Sequence, residues 1–218
     1  MTTISFDLDG TLVTDEFTQV VWHQGIPDLY ARENKCTFDE AQSYIFNEYS
    51  KLGDTALEWY DIKYWLDFFK LNTNWKDLLD KFKGSIRTYP EVEGVLSQLT
   101  QSYQLIITSN AARDFLDTEL LETAITPYFE HIFSATSDFK KVKKTGEFYQ
   151  GICKKINVEP SQIIHVGDHY DFDFLVPQQQ GITSFYLDRK GEKEGSQIVH
   201  DLNEFTNKLN CIPGCFST

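Results

Sequence analysis

Five short apolar runs, each bounded by turn residues, constrain the fold of this chain of 218 residues more than any other feature. A short run that is apolar almost throughout is typical of a strand covered on both faces, as in a parallel sheet. Helix-like stretches lie between the later runs, and this alternation predicts an α/β protein with a Rossmann-like, doubly wound parallel sheet of five strands. The predicted strands are Ile4–Asp7, Leu105–Ser109, His131–Ala135, Ile163–Gly167 and Thr183–Leu187, and the predicted helices cover about Pro90–Leu99, Arg113–Leu121, Glu147–Ile156 and Asp171–Gln180.

The interval Phe17–Lys83 interrupts this alternation. It has no strand-like run, yet it holds all four tryptophans and 15 of the 32 aromatic residues. Thr37 and Glu40 form a capping-box pattern, which predicts the start of a helix. We interpret the interval as a helical domain inserted into an α/β core that comprises residues 1–16 and 84–218. Its aromatic residues are expected to form a bundle core rather than a substrate-facing wall.

Charge and cysteine content narrow the classes of function. The 20 Lys and Arg residues against 33 Asp and Glu give a formal net charge of −13 and a pI near 4.7, so no nucleic-acid or anionic-membrane partner is expected. No apolar stretch approaches the roughly 18 residues of a membrane span, and residues 1–9 lack the basic region of a signal peptide. Four scattered cysteines suit a reducing compartment. We therefore expect a cytoplasmic protein, either a monomer or a small homo-oligomer.

Two of the cysteines, Cys211 and Cys215, lie close together near the end of the chain. We expect them to be free thiols. A short disulfide bridge and a metal site are the alternatives that the sequence leaves open, although no second Cys/His pair with zinc-like spacing accompanies them.

The segment Asp7-Leu-Asp-Gly-Thr11 directly follows the first predicted strand. Asp7 and Asp9 are two residues apart, so in an extended segment their side chains lie on the same side, and Gly10 allows a sharp turn after them. Two close carboxylates repel each other unless a cation lies between them, and carboxylate oxygens are ligands that Mg²⁺ prefers. An exposed turn with two solvated acids would explain the segment alone, so the interpretation depends on the rest of the chain.

Polar residues also follow other predicted strands. Leu105–Asn110 ends in hydroxyl and amide groups that suit a phosphate oxygen, and Lys140–Lys144 places four basic residues within five positions, where one lysine could neutralise a bound anion. Ile163–Asp168 ends in an acid, and Asp171 and Asp173 follow it. If the first and fourth strands are neighbours, these acids meet the first aspartate pair at the carboxyl edge of the sheet, where open α/β sheets bind ligands.

In this order and spacing, the motifs resemble those of the haloacid dehalogenase-like (HAD) superfamily. Its members carry Asp-x-Asp-Gly-Thr, a strand ending in Ser or Thr, a lysine, and Gly-Asp with a further aspartate a few residues later. The matching residues here are Asp7–Thr11, Ser109, Lys143, Gly167–Asp168 and Asp173. The resemblance covers nearly the whole chain, because the helical interval lies where such proteins carry a cap domain. It implies a Mg²⁺-dependent phosphatase that hydrolyses a small phosphorylated metabolite through an aspartyl-phosphate.

The resemblance also implies a role for each matching residue. Asp7 would attack phosphorus, and Asp9 would protonate the leaving oxygen and then activate water. Mg²⁺ would be held by the Asp7 carboxylate, the Asp9 backbone carbonyl and Asp168, and Asp173 would support the metal site or the lysine from behind. The expected phosphate-binding residues are Gly10, Thr11, Ser109, Asn110 and Lys143.

The match has departures that leave alternatives open. Many relatives have Lys-Pro at the third motif, where this chain has two lysines and a threonine, and Phe172 occupies a position where many have Asn. The count back from the following Val-Glu-Pro turn favours Lys143. The alternatives are Lys144 for Lys143, Asp171 for Asp173, and Thr108 for Ser109.

Three other functions are compatible with the same fold. A 2-haloacid dehalogenase would use Asp7 as nucleophile without a metal, but Asp9 and the acids after Gly167 favour a phosphatase. A phosphomutase would need the cap to hold a bisphosphate, and the sequence of the cap does not decide this. A non-catalytic phosphate-binding protein has no chemical reason to keep a costly cluster of carboxylates.

Overall fold

The computed structural model describes residues 2–209, and Cys211 and Cys215 lie outside that range. Within it, a six-stranded parallel sheet has the strand order β3-β2-β1-β4-β5-β6. The strands are β1 (Thr3–Phe6), β2 (Gln104–Ser109), β3 (His131–Ser134), β4 (Ile163–Gly167), β5 (Thr183–Leu187) and β6 (Ile198–Val199). The predicted fold class, an α/β Rossmann-like sheet, is confirmed.

Helices cover both faces of the sheet. The bounds are α1 (Glu16–Val20), α2 (Ile26–Asn34), α3 (Phe38–Leu52), α4 (Ile62–Phe68), α5 (Trp75–Phe82), α6 (Val92–Leu99), α7 (Arg113–Thr123), α8 (Ala135–Phe139), α9 (Gly146–Ile156), α10 (Val176–Gln179) and α11 (Leu202–Leu209). Buried residues of α6, α7 and α11 pack on one face of the central strands, and those of α9 pack on the other. None of the helices within residues 2–209 has the length and apolar character needed to cross a membrane.

The prediction of five strands is wrong by one. The sixth strand, Ile198–Val199, has only two residues and pairs with the end of β5. Its stability comes from β5 and α11 beside it rather than from an apolar run of its own, so no local pattern marks it. The predicted helix Asp171–Gln180 is also divided, because a π-helical turn, Tyr170–Leu175, precedes the short α10.

The register of the sheet aligns the ends of its central strands. Phe6, the last residue of β1, is level with Ile107 of β2 and with Val166 of β4. The residues that follow these three positions therefore emerge side by side at the carboxyl edge. The first and fourth strands are neighbours, so the motifs that follow them meet.

Residues 16–85 contain only helical elements, and all of these residues are described. Their apolar side chains form a second hydrophobic cluster that includes the buried Trp65, and much of this cluster is aromatic. The cluster reaches the α/β core through Phe115 of α7, whose ring lies 5.3 Å from Trp22 and 5.8 Å from Phe17, measured between centroids. We call residues 16–85 the helical segment.

The start of α3 has the capping box that the sequence predicts. The Thr37 hydroxyl oxygen accepts a hydrogen bond from the Glu40 N–H at 3.3 Å, and the Glu40 carboxylate accepts one from the Thr37 N–H at 2.9 Å. Two backbone donors that the helix leaves unpaired are thereby satisfied.

Replacing Thr37 with alanine removes one of these bonds, and we expect Thr37→Ala to lower the free energy of unfolding by about 1 kcal/mol. Urea unfolding followed by circular dichroism measures the change. Thr37→Ser keeps the hydroxyl and is the control, so an equal loss in both variants would show that the cap does not stabilise α3.

Candidate active site

A cleft of about 310 Å³ lies at the carboxyl edge of the sheet, between the α/β core and the helical segment. The core contributes the predicted acids and every phosphate-binding candidate except Thr11, and the helical segment contributes Asp54 and Tyr60. The cleft thus brings together residues that are separated by more than 100 positions in the sequence.

The loop after β1 forms one wall of the cleft. Asp7 continues the ladder, because its N–H donates to the Val166 carbonyl at 3.0 Å. Gly10 then turns the chain with a φ of +73°, and a Cβ atom placed on it would lie only 2.1 Å from Oδ2 of Asp168. Only glycine combines this backbone conformation with so close an approach. Gly10 therefore lets the carboxylate of Asp168 lie directly against the loop that carries Asp9.

Lys144 is the buried cation of the site. Its side chain is 4% exposed, and its Nζ lies 2.6 Å from Oδ1 of Asp7 and in contact with Asp173. Burial alone would lower the pKa of Lys144, but the charges of Asp173 and Asp7 outweigh it and raise the pKa above its usual value. The lysine is thus held charged between two carboxylates.

The structure places Lys144, not the predicted Lys143, beside Asp7. Consecutive side chains of this segment before α9 point in different directions, so a shift of one residue exchanges the two environments. Lys143 reaches the rim of the cleft, where its Nζ lies 2.9 Å from Oδ2 of Asp54 in the helical segment and 5.2 Å from the centroid of the Phe172 ring. The geometry therefore favours Lys144, the alternative that the sequence left open, as the lysine beside Asp7.

A chain of buried polar groups supports Asp173 from below. Asp173 is fully buried and accepts hydrogen bonds from Nε2 of His165 at 2.9 Å and from the N–H of His169 at 3.1 Å. The other ring nitrogen of His165 is 2.9 Å from the Ser5 hydroxyl, which is 2.9 Å from the Thr108 hydroxyl. Although burial would raise the pKa of Asp173, Lys144 and His165 hold it below its usual value.

This chain joins β4, β1 and β2 beneath the site, and sequence analysis did not identify His165 or Ser5 as part of it. Both lie inside apolar strands, where a polar residue flanked by isoleucine, valine or phenylalanine is the available signal. A buried polar residue in such a strand needs a partner, and here the partners are one another.

Three acids could contribute to a metal site. One carboxylate oxygen from each of Asp7, Asp168 and Asp173 lies within 4.8 Å of the other two. Desolvation in the cleft, followed by the charges of Asp7 and Asp173, raises the pKa of Asp168 to about 8, although its side chain faces the open cleft. Lys144 and His165 already engage Asp173. Asp7 and Asp168 therefore form a pair of hard oxygen donors whose repulsion a divalent cation would relieve, and the donor set fits Mg²⁺.

Asp9 lies against a buried acid that sequence analysis missed. Glu119 of α7 is fully buried, and within residues 2–209 no N–H group and no hydroxyl donates to its carboxylate oxygens. Burial, followed by the charge of Asp9, raises the pKa of Glu119 well above its usual value. Burial and then the charge of Asp7 raise the pKa of Asp9 to about 6. A protonated Glu119 can donate a hydrogen bond to Asp9, which satisfies both groups.

The other predicted residues divide into those at the cleft and those away from it. Ser109 and Asn110 line it, and the Ser109 hydroxyl oxygen accepts the Ala111 N–H at 3.0 Å, so its own hydrogen is directed elsewhere. The Thr11 side chain is fully buried within the loop after β1 and does not line the cleft. Asp171 is exposed, whereas Asp173 is buried at the site, so the geometry favours Asp173 of the two candidates.

Comparison with known proteins gives consistent matches. The protein-family model that describes the haloacid dehalogenase-like hydrolases matches residues 1–179 of this chain. A protein of Escherichia coli K12 named GMP/IMP nucleotidase YrfG is 23% identical over 173 residues, which cover 76% of this chain and 73% of that protein. A HAD phosphatase from Thermococcus onnurineus has a TM-score of 0.83 at 22% identity, covering 96% of this chain and 98% of the other. A 2-haloacid dehalogenase from Pseudomonas syringae pv. Tomato DC3000 has a TM-score of 0.67 at 18% identity, covering 97% and 99%.

The buried Glu119 yields a prediction on stability. Its raised pKa means that the folded state binds the proton more tightly than the unfolded state, so stability falls as the pH rises above the ordinary value of 4.5. Glu119→Gln removes this dependence and keeps a donor for Asp9. We expect the variant to be more stable than the wild type at pH 7 to 8 by about 1–3 kcal/mol, with the difference vanishing near pH 4.

Urea unfolding at a series of pH values measures this difference. Asp117→Asn on the same helix is the control, because Asp117 is 64% exposed. A difference between Glu119→Gln and wild type that stays constant with pH would show that Glu119 does not change its proton affinity on folding.

Proposed function

The chain belongs to the haloacid dehalogenase-like hydrolase family, and from that premise we propose that it is a Mg²⁺-dependent phosphatase that hydrolyses a small phosphomonoester. The observation that best supports this function is the convergence of Asp7, Asp168 and the Lys144 ammonium in one cleft. A nucleophilic carboxylate, a pair of hard oxygen donors and a buried cation are the groups that transfer of a dianionic phosphoryl group needs. On this proposal the helical segment acts as the cap of the enzyme.

Asp7 is the proposed nucleophile. Its carboxylate oxygen attacks phosphorus, the bond from phosphorus to the ester oxygen breaks, and an aspartyl-phosphate forms on Asp7. The Lys144 ammonium beside Asp7 offsets the negative charge that the incoming phosphoryl group adds. The Ser109 hydroxyl, with its hydrogen available, and the Asn110 amide are placed to donate to phosphoryl oxygens.

Asp9 is the proposed acid and base. With a pKa near 6, it holds a proton often enough at neutral pH to give it to the departing ester oxygen. The resulting carboxylate then takes a proton from water as that water attacks phosphorus. The bond between phosphorus and Asp7 breaks, inorganic phosphate leaves, and both aspartates return to their starting states. Glu119 lies behind Asp9, where it is placed to keep the carboxyl group of Asp9 oriented.

Asp7, Asp168 and the backbone carbonyl of Asp9 would hold Mg²⁺. When bound, the ion would offset the negative charge of the nucleophile and of the phosphoryl oxygens. Asp173 is engaged by Lys144 and His165, so its role is to fix Lys144 from behind.

Nucleoside monophosphates are the substrates to assay first. The leaving group would lie at the mouth of the cleft, where Tyr60, His169 and Phe172 present aromatic rings, and the last two stack with centroids 4.2 Å apart. Such faces suit a planar base. The Escherichia coli relative named as a GMP/IMP nucleotidase favours the same class.

The first test of the function is release of inorganic phosphate from p-nitrophenyl phosphate and from a panel of nucleoside monophosphates, with Mg²⁺ or with excess chelator. We expect turnover that requires Mg²⁺, its loss in Asp7→Asn because an amide is a poor nucleophile, and a reduction of roughly 10²–10⁴-fold in Asp9→Asn.

The rival activities give different results in this test. Chloride released from a 2-haloacid in the presence of chelator would identify a dehalogenase instead. Binding of phosphate without turnover of any ester would identify a non-catalytic protein. Interconversion of two phosphate positions on one sugar would identify a mutase.

The register of the lysines gives a second prediction. We expect Lys144→Ala to lower kcat/KM by about 10²–10³-fold, because it removes the buried charge beside the nucleophile. Lys140→Ala, Lys141→Ala and Lys143→Ala should each have small effects, since these side chains lie at the rim or surface. Measuring kcat/KM and the thermal midpoint for all four separates catalytic loss from unfolding. A dominant loss at Lys143 would contradict the assignment to Lys144.

A further inference from the structure

Arg189 follows β5 and lies outside every motif described above, yet its side chain reaches the loop after β1. We infer that Arg189 is a positioning residue for the reaction, because its guanidinium group fixes the backbone of the loop that carries Asp9 and Gly10. The expected effect on the reaction rate rests on the proposed function. The structural part of the inference, that Arg189 fixes the loop, can be tested without measuring turnover.

The guanidinium group holds two successive carbonyls of the loop. Its Nε donates to the Gly10 carbonyl oxygen at 3.1 Å, and its Nη2 donates to the Thr11 carbonyl oxygen at 2.7 Å. A planar fork that engages two acceptors fixes the direction of both peptide groups, which a lysine ammonium does not do to the same extent. The loop closes on itself through backbone hydrogen bonds such as Gly10 N–H to the Val13 carbonyl at 2.8 Å, and the two bonds from Arg189 attach this closed turn to the segment after β5.

The guanidinium group is itself fixed by two further contacts. Its Nη1 lies 2.8 Å from Oε1 of Glu91, and its Cζ lies 3.4 Å from the centroid of the Tyr89 ring. The side chains of Arg189 and Glu91 are only 18% and 12% exposed, so this ion pair is screened less than a surface pair. The three guanidinium nitrogens and Cζ therefore all have partners, which together fix one orientation of the arginine.

The segment after Arg189 also holds it in place. The Asp188 carboxylate is buried and accepts hydrogen bonds from the N–H groups of Lys190 at 3.3 Å and Lys193 at 2.6 Å. The Asp188 N–H donates to the Val199 carbonyl at 2.8 Å, which ties the residue before Arg189 to β6. The arginine thus extends from a turn that is closed by hydrogen bonds on both sides.

The position of the loop matters because Gly10 lies against Asp168. A Cβ on Gly10 would come within 2.1 Å of Oδ2 of that carboxylate, so the backbone of Gly10 lies directly against Asp168. A displacement of Gly10 would change the position of Asp168 and the direction of the adjacent Asp9. Misplacement of reacting groups by about 1 Å can lower a rate by about 100-fold.

Arg113 provides a matched control. Its Nη2 donates to the Ile132 carbonyl at 2.6 Å and contacts Asp138 at 2.6 Å, so it too joins a backbone carbonyl to a carboxylate. Arg113, Ile132 and Asp138 do not line the cleft. Arg113→Met therefore reports the loss of stability without a change in the loop after β1.

The experiment compares Arg189→Met, Arg189→Lys and Arg113→Met with the wild type in three measurements. These are kcat and KM for p-nitrophenyl phosphate, Mg²⁺ affinity by calorimetry, and hydrogen exchange of the peptide covering residues 7–14. We expect Arg189→Met to lower kcat by about 10–100-fold with little change in KM, to weaken Mg²⁺ binding by about 10-fold or more, and to speed exchange in this peptide. Arg189→Lys should be intermediate, and Arg113→Met should match the wild type in all three.

Two results overturn the inference. In the first, Arg189→Met retains the wild-type kcat and Mg²⁺ affinity, as Arg113→Met does. In the second, exchange in residues 7–14 is the same in Arg189→Met and in the wild type. If the wild type itself releases no phosphate, the proposed function fails, and the exchange measurement alone then decides whether Arg189 fixes the loop.

Discussion

The ion pairs of Lys144 with Asp7 and Asp173 are the interaction on which the rest of the site depends. Each of the three side chains is at most 8% exposed, and a buried charge without a partner would be strongly destabilising. Asp7 follows β1, Asp173 lies on the π-helical turn after β4, and Lys144 precedes α9. The pairs therefore fix three separate parts of the chain relative to one another at the edge of the sheet.

Hydrogen bonds around this charge cluster offset the energetic cost of burying it. Asp173 is stabilised by His165 and by a backbone N–H, and His165 is in turn linked to Ser5 and Thr108 across three adjacent strands. A fully connected polar network of this kind avoids the penalty of a buried group without a partner. Gly167 has a related role, because a Cβ there would lie 2.5 Å from Cγ of Asp173.

Those parts of the structure that follow from local pattern could be predicted, and those set by distant partners could not. Buried strands need continuous apolar runs, so five strands and the meeting of Asp7, Asp9 and Asp168 near one edge were accessible from the sequence. The choice between Lys143 and Lys144 depends on the direction of a side chain in an irregular segment, and no periodicity fixes that. Glu119 shares the buried face of α7 with Leu116 and Leu120, which the helical spacing indicates, but its contact with Asp9 depends on how α7 packs against the loop after β1. Arg189 is a single arginine after a strand, and its importance follows from contacts 98 and 178 to 179 positions away.

The division between a buried charge network and an exposed rim has a consequence for how this protein can diversify. The rim position Asp54 is 57% exposed, and its pair with Lys143 contributes little to the free energy of folding. Substitutions at such positions change the shape and charge of the mouth of the cleft while leaving Lys144, Asp7 and Asp173 undisturbed. Changes on the helical segment can therefore accumulate by neutral drift and alter which molecules enter the cleft, without first passing through a destabilised ancestor.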